Sequence, residues 1–442
     1  MRKILKGTAA AFVLTSTASM AWAEGSVVVV TSFPDDMTSV IEAAFEAAHP
    51  EYDLEILNRS TSSGVRYVQE IAANNTADIF WASAPDAFEV LKSNHLLAQA
   101  GISTEGIPDM IGAYPINDPD GYYYGFAASG YGIMWNTRYL DANGLEPARE
   151  WSDLARPEYF GHVGMSSPSR SGTTHLTVET VLQGEGWEAG WSEWKWIAGN
   201  FASVTERSFG VPDGVNTGNF GLGIVIDFFG FSSRASGFPV DFAYPTVTAL
   251  VPANVGVIEN APNPEGARAF VEFLLSPAGQ ETLFDPAIMR LPVNPAAYEA
   301  APEGLPNPFE DTSIGAEVLF DVDTSGARYY VVSSLFDVLI TYRLDDLRAA
   351  VRAVQLAEER HADGSNAEAA ALIAEARALI DAMPITEEQS LDPAFSGAFT
   401  ATRRAASDQV EQRQAELEQQ WDAFATQNYA RARELADRAA AM

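Results

Sequence analysis

A chain of 442 residues that is 47% apolar exceeds what one hydrophobic core usually supports, so two or three domains are expected. The complete lack of cysteine excludes a disulfide framework, a thiolate metal site and a thiol nucleophile, and leaves core burial as the source of stability. A formal charge of −33 argues against nucleic acid and anionic membrane surfaces as partners, since both would be repelled and no basic stripe is offered to either.

Residues 1–23 read as a secretory leader. Arg2, Lys3 and Lys6 form its charged start, Ala9 to Leu14 its short apolar stretch, and Ala21-Trp22-Ala23 a small-x-small cleavage site. The mature chain is then expected to begin near Glu24, exported and soluble, with either a periplasm or the outside as its destination. No later run reaches the ~20 apolar residues that a bilayer span needs.

From Val27 onward strands and helices alternate. VVVVTSF reads as a buried strand; Met37, Val40, Ile41, Ala44, Phe45 and Ala48 recur at helical spacing until His49-Pro50; DLEILNRS is a strand, Val65, Val68 and Ala72 mark a helix, and ADIFWAS precedes the helical PDAFEVLKS. Such a βαβαβ order makes a parallel sheet with helices on both faces. The same grammar returns from about Gly161 to Arg234, through HVGMSS, a helix to Gln183, the Trp-rich GWEAGWSEWKWIA, SVTER and LGIVIDF. Two extended, Gly/Pro-marked connections, 122–136 and 242–258, suit a two-stranded hinge. The expected fold is α/β with two lobes: 24–128 plus about 258–310 form the first, and 129–257 the second. Beyond residue 310 the strand signal stops. Val332, Leu335, Leu339, Leu347, Val351 and Val354 predict one helix of about thirty residues, and Ser365 with Glu368 and Thr386 with Gln389 read as capping boxes. Residues 311–442 are expected to form a helical extension packed on the lobes, with a coiled coil to a partner as the alternative.

The loops at the carboxyl ends of the expected strands carry the candidate site, because ligands of open α/β sheets bind there. The first lobe contributes Ser32 and Phe33, then Arg59, Ser60 and Thr61, then Trp81 and Ser83. The second contributes Ser169, Arg170, Ser171, Gly172, Thr173, Thr174 and His175, then Arg207, then Asp227; Tyr244 lies in the hinge. The stretch SPSRSGTTH is the strongest of these, since a helix starting there aims backbone N–H groups and hydroxyls at one point, with Arg170 adding full charge. Each residue also has an ordinary reading. Serine and threonine cap helices for local reasons, Arg59 and Arg207 suit salt bridges, Trp81 and Tyr244 suit packing, Asp227 suits a helix cap, and His175 suits a satisfied helix histidine. The five histidines show no HxH or HExxH spacing, and neither a GxSxG elbow nor a Walker loop occurs, so no enzyme activity, metal or cofactor is expected.

VVVTSFP, DIFWASAPDAF, GYGIMWN, SPSRSGTTHLTVETVLQGEGW, GLGIVIDFF and VPANVGVIENAPNPEGARAFVEFLLSPAGQ together resemble the periplasmic solute-binding proteins of ABC importers (family 1 extracellular solute-binding proteins). Within them the chain is most similar to the ferric-iron, hexose-phosphate and phosphoglycerate branch, over about residues 24 to 360. The resemblance implies a type II two-lobed fold, a small anionic or phosphorylated ligand and a transient ABC permease partner. It also implies phosphate held by Ser169, Ser171, Gly172, Thr173 and Thr174, with His175 and Asp227 toward the hydroxyl end. Iron-binding members carry adjacent tyrosines where this chain has Phe228-Phe229, which disfavours iron. The long helical tail resembles the phosphoglycerate-type regulatory component, and keeps a sensor kinase as the alternative partner.

Overall fold

A computed structural model describes residues 25–112, 114–311, 314–315, 318–399 and 412–442; the expected leader lies outside them. Val27 to Val30 are all buried, as a β-branched run without a polar face requires of a strand covered on both sides. The strand Ser26–Thr31 accordingly lies between parallel neighbours Asp53–Asn58 and Ile79–Ala82, with Val30 beside Leu57 and Phe80. Helix Asp35–Ala48 packs Met37, Ile41 and Phe45 onto one sheet face, while Thr61–Ile71 and Pro85–Ser93 cover the other. In the second lobe Val163–Ser166 runs parallel to both Phe201–Thr205 and Leu222–Ile226.

One strand, Tyr124–Asn136, runs from the first lobe into the second with all 13 residues buried, and the chain returns between Val240–Ala243 and Leu250–Val257, which pair with its two halves. Its first half pairs with Leu250–Val257 and its second with Leu222–Ile226, so the chain passes between lobes at Gly130 and Tyr131. Leu250–Val257 also pairs antiparallel with Ile79–Ala82. That shifts the expected boundary, because the chain is back in the first lobe's sheet by Leu250 rather than after 257. A run buried on both sides is held by two ladders there, and among the described residues no ladder ties it to the second-lobe strands. The two-residue strand Leu291–Pro292 adds to the same crossing strand, opposite Ala127 and Ala128.

The extension departs from the single long helix in an informative way. Helix Tyr329–Phe336 passes into a π-helical turn, Asp337–Thr341, before Leu344–Arg360 continues. The turn places Asp337, 2% exposed, where Ser167 Oγ of the second lobe donates to it at 2.6 Å. The helix expected to start at Ser365 is capped instead by Asn366, whose side chain accepts from the Glu368 and Ala369 amides, while Ser365 bonds Asp363. The Thr386–Gln389 capping box is present. The terminal helix Gln412–Ala440 packs within the chain, on Leu344–Arg360 and Ala367–Asp381. Large apolar residues thin out after Trp421, but Ala425, Ala432, Ala436 and Ala439 are buried and let the helices approach closely. One apolar core runs through the second lobe, the extension and one face of the first-lobe sheet.

Candidate ligand cleft

The strand ends of both lobes meet around an enclosed cavity of about 10 Å³, the space of roughly one water. Ser32, Phe33, Thr61 and Arg290 line it from the first lobe, and Arg170, Ser171, Thr173, Arg207, Phe228 and Phe229 from the second. The lobes are shut around it. Ser62 Oγ donates to the Ser169 carbonyl at 2.7 Å, the Gly172 amide to Thr61 Oγ1 at 3.1 Å, and Arg207 Nη2 to Asn58 Oδ1 at 3.0 Å and the Ser32 carbonyl at 3.4 Å. Gly172 has to be glycine for this approach: a Cβ there would stand 2.6 Å from Ala84 Cβ and 2.9 Å from Thr61 Oγ1.

The helix Gly172–Glu185 begins at the cavity as its Ser/Thr-rich start predicts, with Ser171 as cap accepting from the Thr174 amide. Two of its first amides are thus spent, Gly172's on the opposite lobe and Thr174's on the cap, and it is Ser171 and Thr173 that line the cavity. Ser169 lies beneath them, 1% exposed, its hydroxyl 2.8 Å from Ser167 Oγ. Arg170 reaches the cavity with Nη1 on the Thr205 carbonyl at 3.3 Å and 3.5 Å from Glu206.

Other expected site residues stand elsewhere. Trp81 is buried against Phe33, Phe126 and Phe270, with ring centroids 4.7, 5.6 and 5.5 Å away, and belongs to the core. Arg59 stacks on Tyr67 at 4.1 Å, outside the cavity, and Ser60 donates to Ser63 Oγ. Asp227 and Tyr244 form a unit behind the wall: the carboxylate accepts from the Tyr244 hydroxyl, the Gly130 amide and the Phe228 amide at 2.8, 2.7 and 2.7 Å. Burial pushes the Asp227 carboxyl up to about 6 against those hydrogen bonds. His175, fully buried, has Nε2 3.2 Å from Asp86 Oδ2 of the first lobe and its ring 4.4 Å from Tyr329 of the extension. Burial lowers it to about 3 and raises Asp86 to about 7. His175 therefore sits in an interlobe joint rather than in the cavity.

The residue that sequence reasoning missed is Arg290. It is wholly buried, donates Nη1 to Ser83 Oγ at 2.9 Å, and has its guanidinium 4.4 Å from the Phe33 ring and 3.8 Å from the Phe228 ring. Nε and Nη2 have no hydrogen-bond partner among the described residues. Burial lowers its pKa to about 9, with the Asp227 charge opposing. The sequence does carry a signal, a lone cation inside Ile288-Met289-Arg290-Leu291, since such a residue is buried only with something to hold. Beyond Phe228 and Phe229 a wider recess of about 1260 Å³ opens outward, edged by Asp35, Asp36, Asp213 and Asp285.

A family model described as bacterial extracellular solute-binding protein matches residues 74–311. The phosphoglycerate transport regulatory protein PgtC of Salmonella typhimurium is 31% identical over 379 residues, covering 84% of this chain and 89% of its own length. The chain belongs to the bacterial extracellular solute-binding proteins. That membership implies export, a small ligand and a membrane permease as partner, and its members are not enzymes. The fold of this solute-binding protein is shared with the periplasmic binding protein AfuA of Actinobacillus pleuropneumoniae, described with exogenous fructose 6-phosphate bound, at a TM-score of 0.65 and 19% identity over 72% of this chain and 99% of that one. It is also shared with iron-bound HitA of Pseudomonas aeruginosa, at 0.58 and 15% over 70% and 98%.

Proposed function

We propose that this solute-binding protein closes over a small phosphorylated or otherwise anionic metabolite in the interlobe cleft, in the periplasm, and presents it to an ABC permease. The observation that carries this reading is Arg290, a buried cation with two N–H groups unmatched at the cavity where both lobes meet. An oxyanion supplies what that group lacks, and contact with both lobes lets a ligand bias closure. The phosphoglycerate role in the name of PgtC and the fructose 6-phosphate of AfuA lie on the same side. Ferric iron is disfavoured, since Phe228 and Phe229 put carbon at the wall and Arg290 already places a cation beside them. A thermal-shift screen tests the reading. Phosphorylated sugars and phosphoglycerates are expected to raise the melting temperature by mass action, whereas a shift with ferric citrate or polyamines alone would overturn it.

A second reading, ligand sensing that feeds a membrane sensor kinase through the extension, is favoured by one contact: Ser167, at the foot of the cleft loop, is held by Asp337 of the extension's π-helical turn. Asp337→Asn separates the two. Intact binding with lost ligand-dependent induction would support sensing, and intact induction would remove it.

A further inference from the structure

Resting on that reading, we propose that Asp337, a residue of the extension, is a positioning residue of the ligand cleft: through Ser167 it fixes the turn that presents Arg170 and Ser171 to the cavity, so the second lobe's wall is complete only with the extension in place. Ser167 caps the turn Pro168–Arg170, its Oγ accepting from the Ser169 amide at 3.3 Å and the Ser169 hydroxyl at 2.8 Å. Its single proton goes the other way, to Asp337 Oδ1 at 2.6 Å. One hydroxyl is thereby held from both sides. Two groups of the cleft issue from the same turn: the Ser169 carbonyl accepts from Ser62 Oγ of the first lobe at 2.7 Å, and Arg170 reaches the cavity. Asp337, Ser167 and Ser169 are 2, 0 and 1% exposed, so bulk water does not replace a partner lost there.

Asp337 is more than a fastening between extension and lobe. That seam is already fastened elsewhere: Arg328 pairs with Glu179, Lys195 Nζ donates to the Asp381 and Ala382 carbonyls at 2.9 Å, and Trp196 Nε1 and Ser192 Oγ both donate to Asp381 Oδ1 at 2.7 Å. A further buried carboxylate is unfavourable in itself, and burial does push the Asp337 carboxyl above its ordinary range, against its hydrogen bonds and the Arg170 charge. The helix also widens into a π-turn over Asp337–Thr341, a departure from α-helical regularity that changes where the carboxylate points. Both penalties fall where the extension meets the turn that lines the cavity.

Amide hydrogen exchange and calorimetry on the full chain test this, with 3-phosphoglycerate and inorganic phosphate as probes. Asp337→Ala is expected to weaken whichever probe wild type binds by about 10-fold, the scale of one charge-assisted hydrogen bond, and to speed exchange of the 169–174 amides in the ligand-free protein by a similar factor. Asp337→Asn, which keeps an oxygen in place to accept from Ser167, should stay within about threefold of wild type in both. Ser167→Ala removes the donor and should match Asp337→Ala, with the double variant no worse than either alone. Ser192→Ala cuts a seam hydrogen bond that does not touch the turn, and should lower the melting temperature without weakening the probe. Wild-type affinity and exchange in Asp337→Ala overturn the inference, as do additive losses in the double variant. Equal weakening by Ser192→Ala also overturns it, since Asp337 would then be one fastening among others. If wild type binds neither probe, the anion reading falls while the exchange comparison still decides the positioning role. Where Asp337→Ala does not fold, Ser167→Ala carries the same test.

Discussion

Arg290 works against the stability of the empty protein. A buried donor without a partner costs free energy that the folded state has to carry, and among the described residues this side chain holds two such groups. Arg290→Met keeps the chain's bulk between Phe33 and Phe228 and removes the orphaned donors. The expected result in denaturant unfolding of ligand-free protein is a gain of about 1–3 kcal/mol, the mark of a group kept for function. A comparable loss of stability would show that the guanidinium is structural. His175 and Asp86 make the second residue-scale case. Asp86 is raised to about 7, so its contribution is present at low pH and lost as pH rises through 7; His175 is lowered to about 3, so its contribution is present above pH 6.5 and lost as pH falls through 3. Between pH 4 and 7 the two slopes oppose each other and the pair is close to neutral in its effect. His175→Gln leaves Asp86 alone. Its unfolding free energy should then fall from pH 4 to 7 relative to wild type, by up to about 1.4 kcal/mol per pH unit; parallel profiles would contradict the assignment.

At the scale of elements, the alternation of strands and helices was legible because a short continuous β-branched run, Val27–Val30, is followed by a helical-period pattern in Met37, Ile41 and Phe45. The strand-end loops were legible for the same reason, and Phe33, Thr61, Arg170, Ser171, Thr173 and Arg207 do converge on one cavity. Arg290 was not, because Leu291–Pro292 is a two-residue strand and has no period to read. Other members of the loop 167–175 serve the fold or the opposite lobe: the Ser169 hydroxyl lies 2.8 Å from Ser167 Oγ, and the Gly172 and Thr174 amides are spent on Thr61 and Ser171. In the terminal helix small residues do the packing: Ala432, Ala436 and Ala439 are wholly buried. Ala436→Leu should therefore overpack the helix contact and cost about 1–3 kcal/mol, seen as a lower melting temperature. An unchanged melting temperature would mean that the helix packs loosely.

On the scale of the whole molecule, the extension is a strap across both lobes. Ser325 donates to Asp86 of the first lobe at 2.9 Å, and Arg328 meets Glu179 of the second through Nε at 3.0 Å and Nη2 at 2.8 Å, with both side chains fully buried. Opening the cleft therefore disturbs contacts at the extension as well as at the Gly130–Tyr131 crossing. Removing one member of a buried ion pair leaves the other uncompensated, so Arg328→Met should destabilise by about 3–5 kcal/mol in denaturant unfolding; a loss below about 1 kcal/mol would show that Glu179 finds another partner. The extension joins the same apolar core as the second lobe, which ties its fate to the lobes.

The most direct test of the account is a crystal structure of the full chain grown with 3-phosphoglycerate. It should show oxygens of the ligand's anionic group about 2.7–2.9 Å from Arg290 Nε and Nη2, with the ligand also in contact with Arg170, Ser171 or Thr173 of the opposite lobe. Ligand bound in the acidic recess beyond Phe228 and Phe229, with the Arg290 edge still empty, would contradict it.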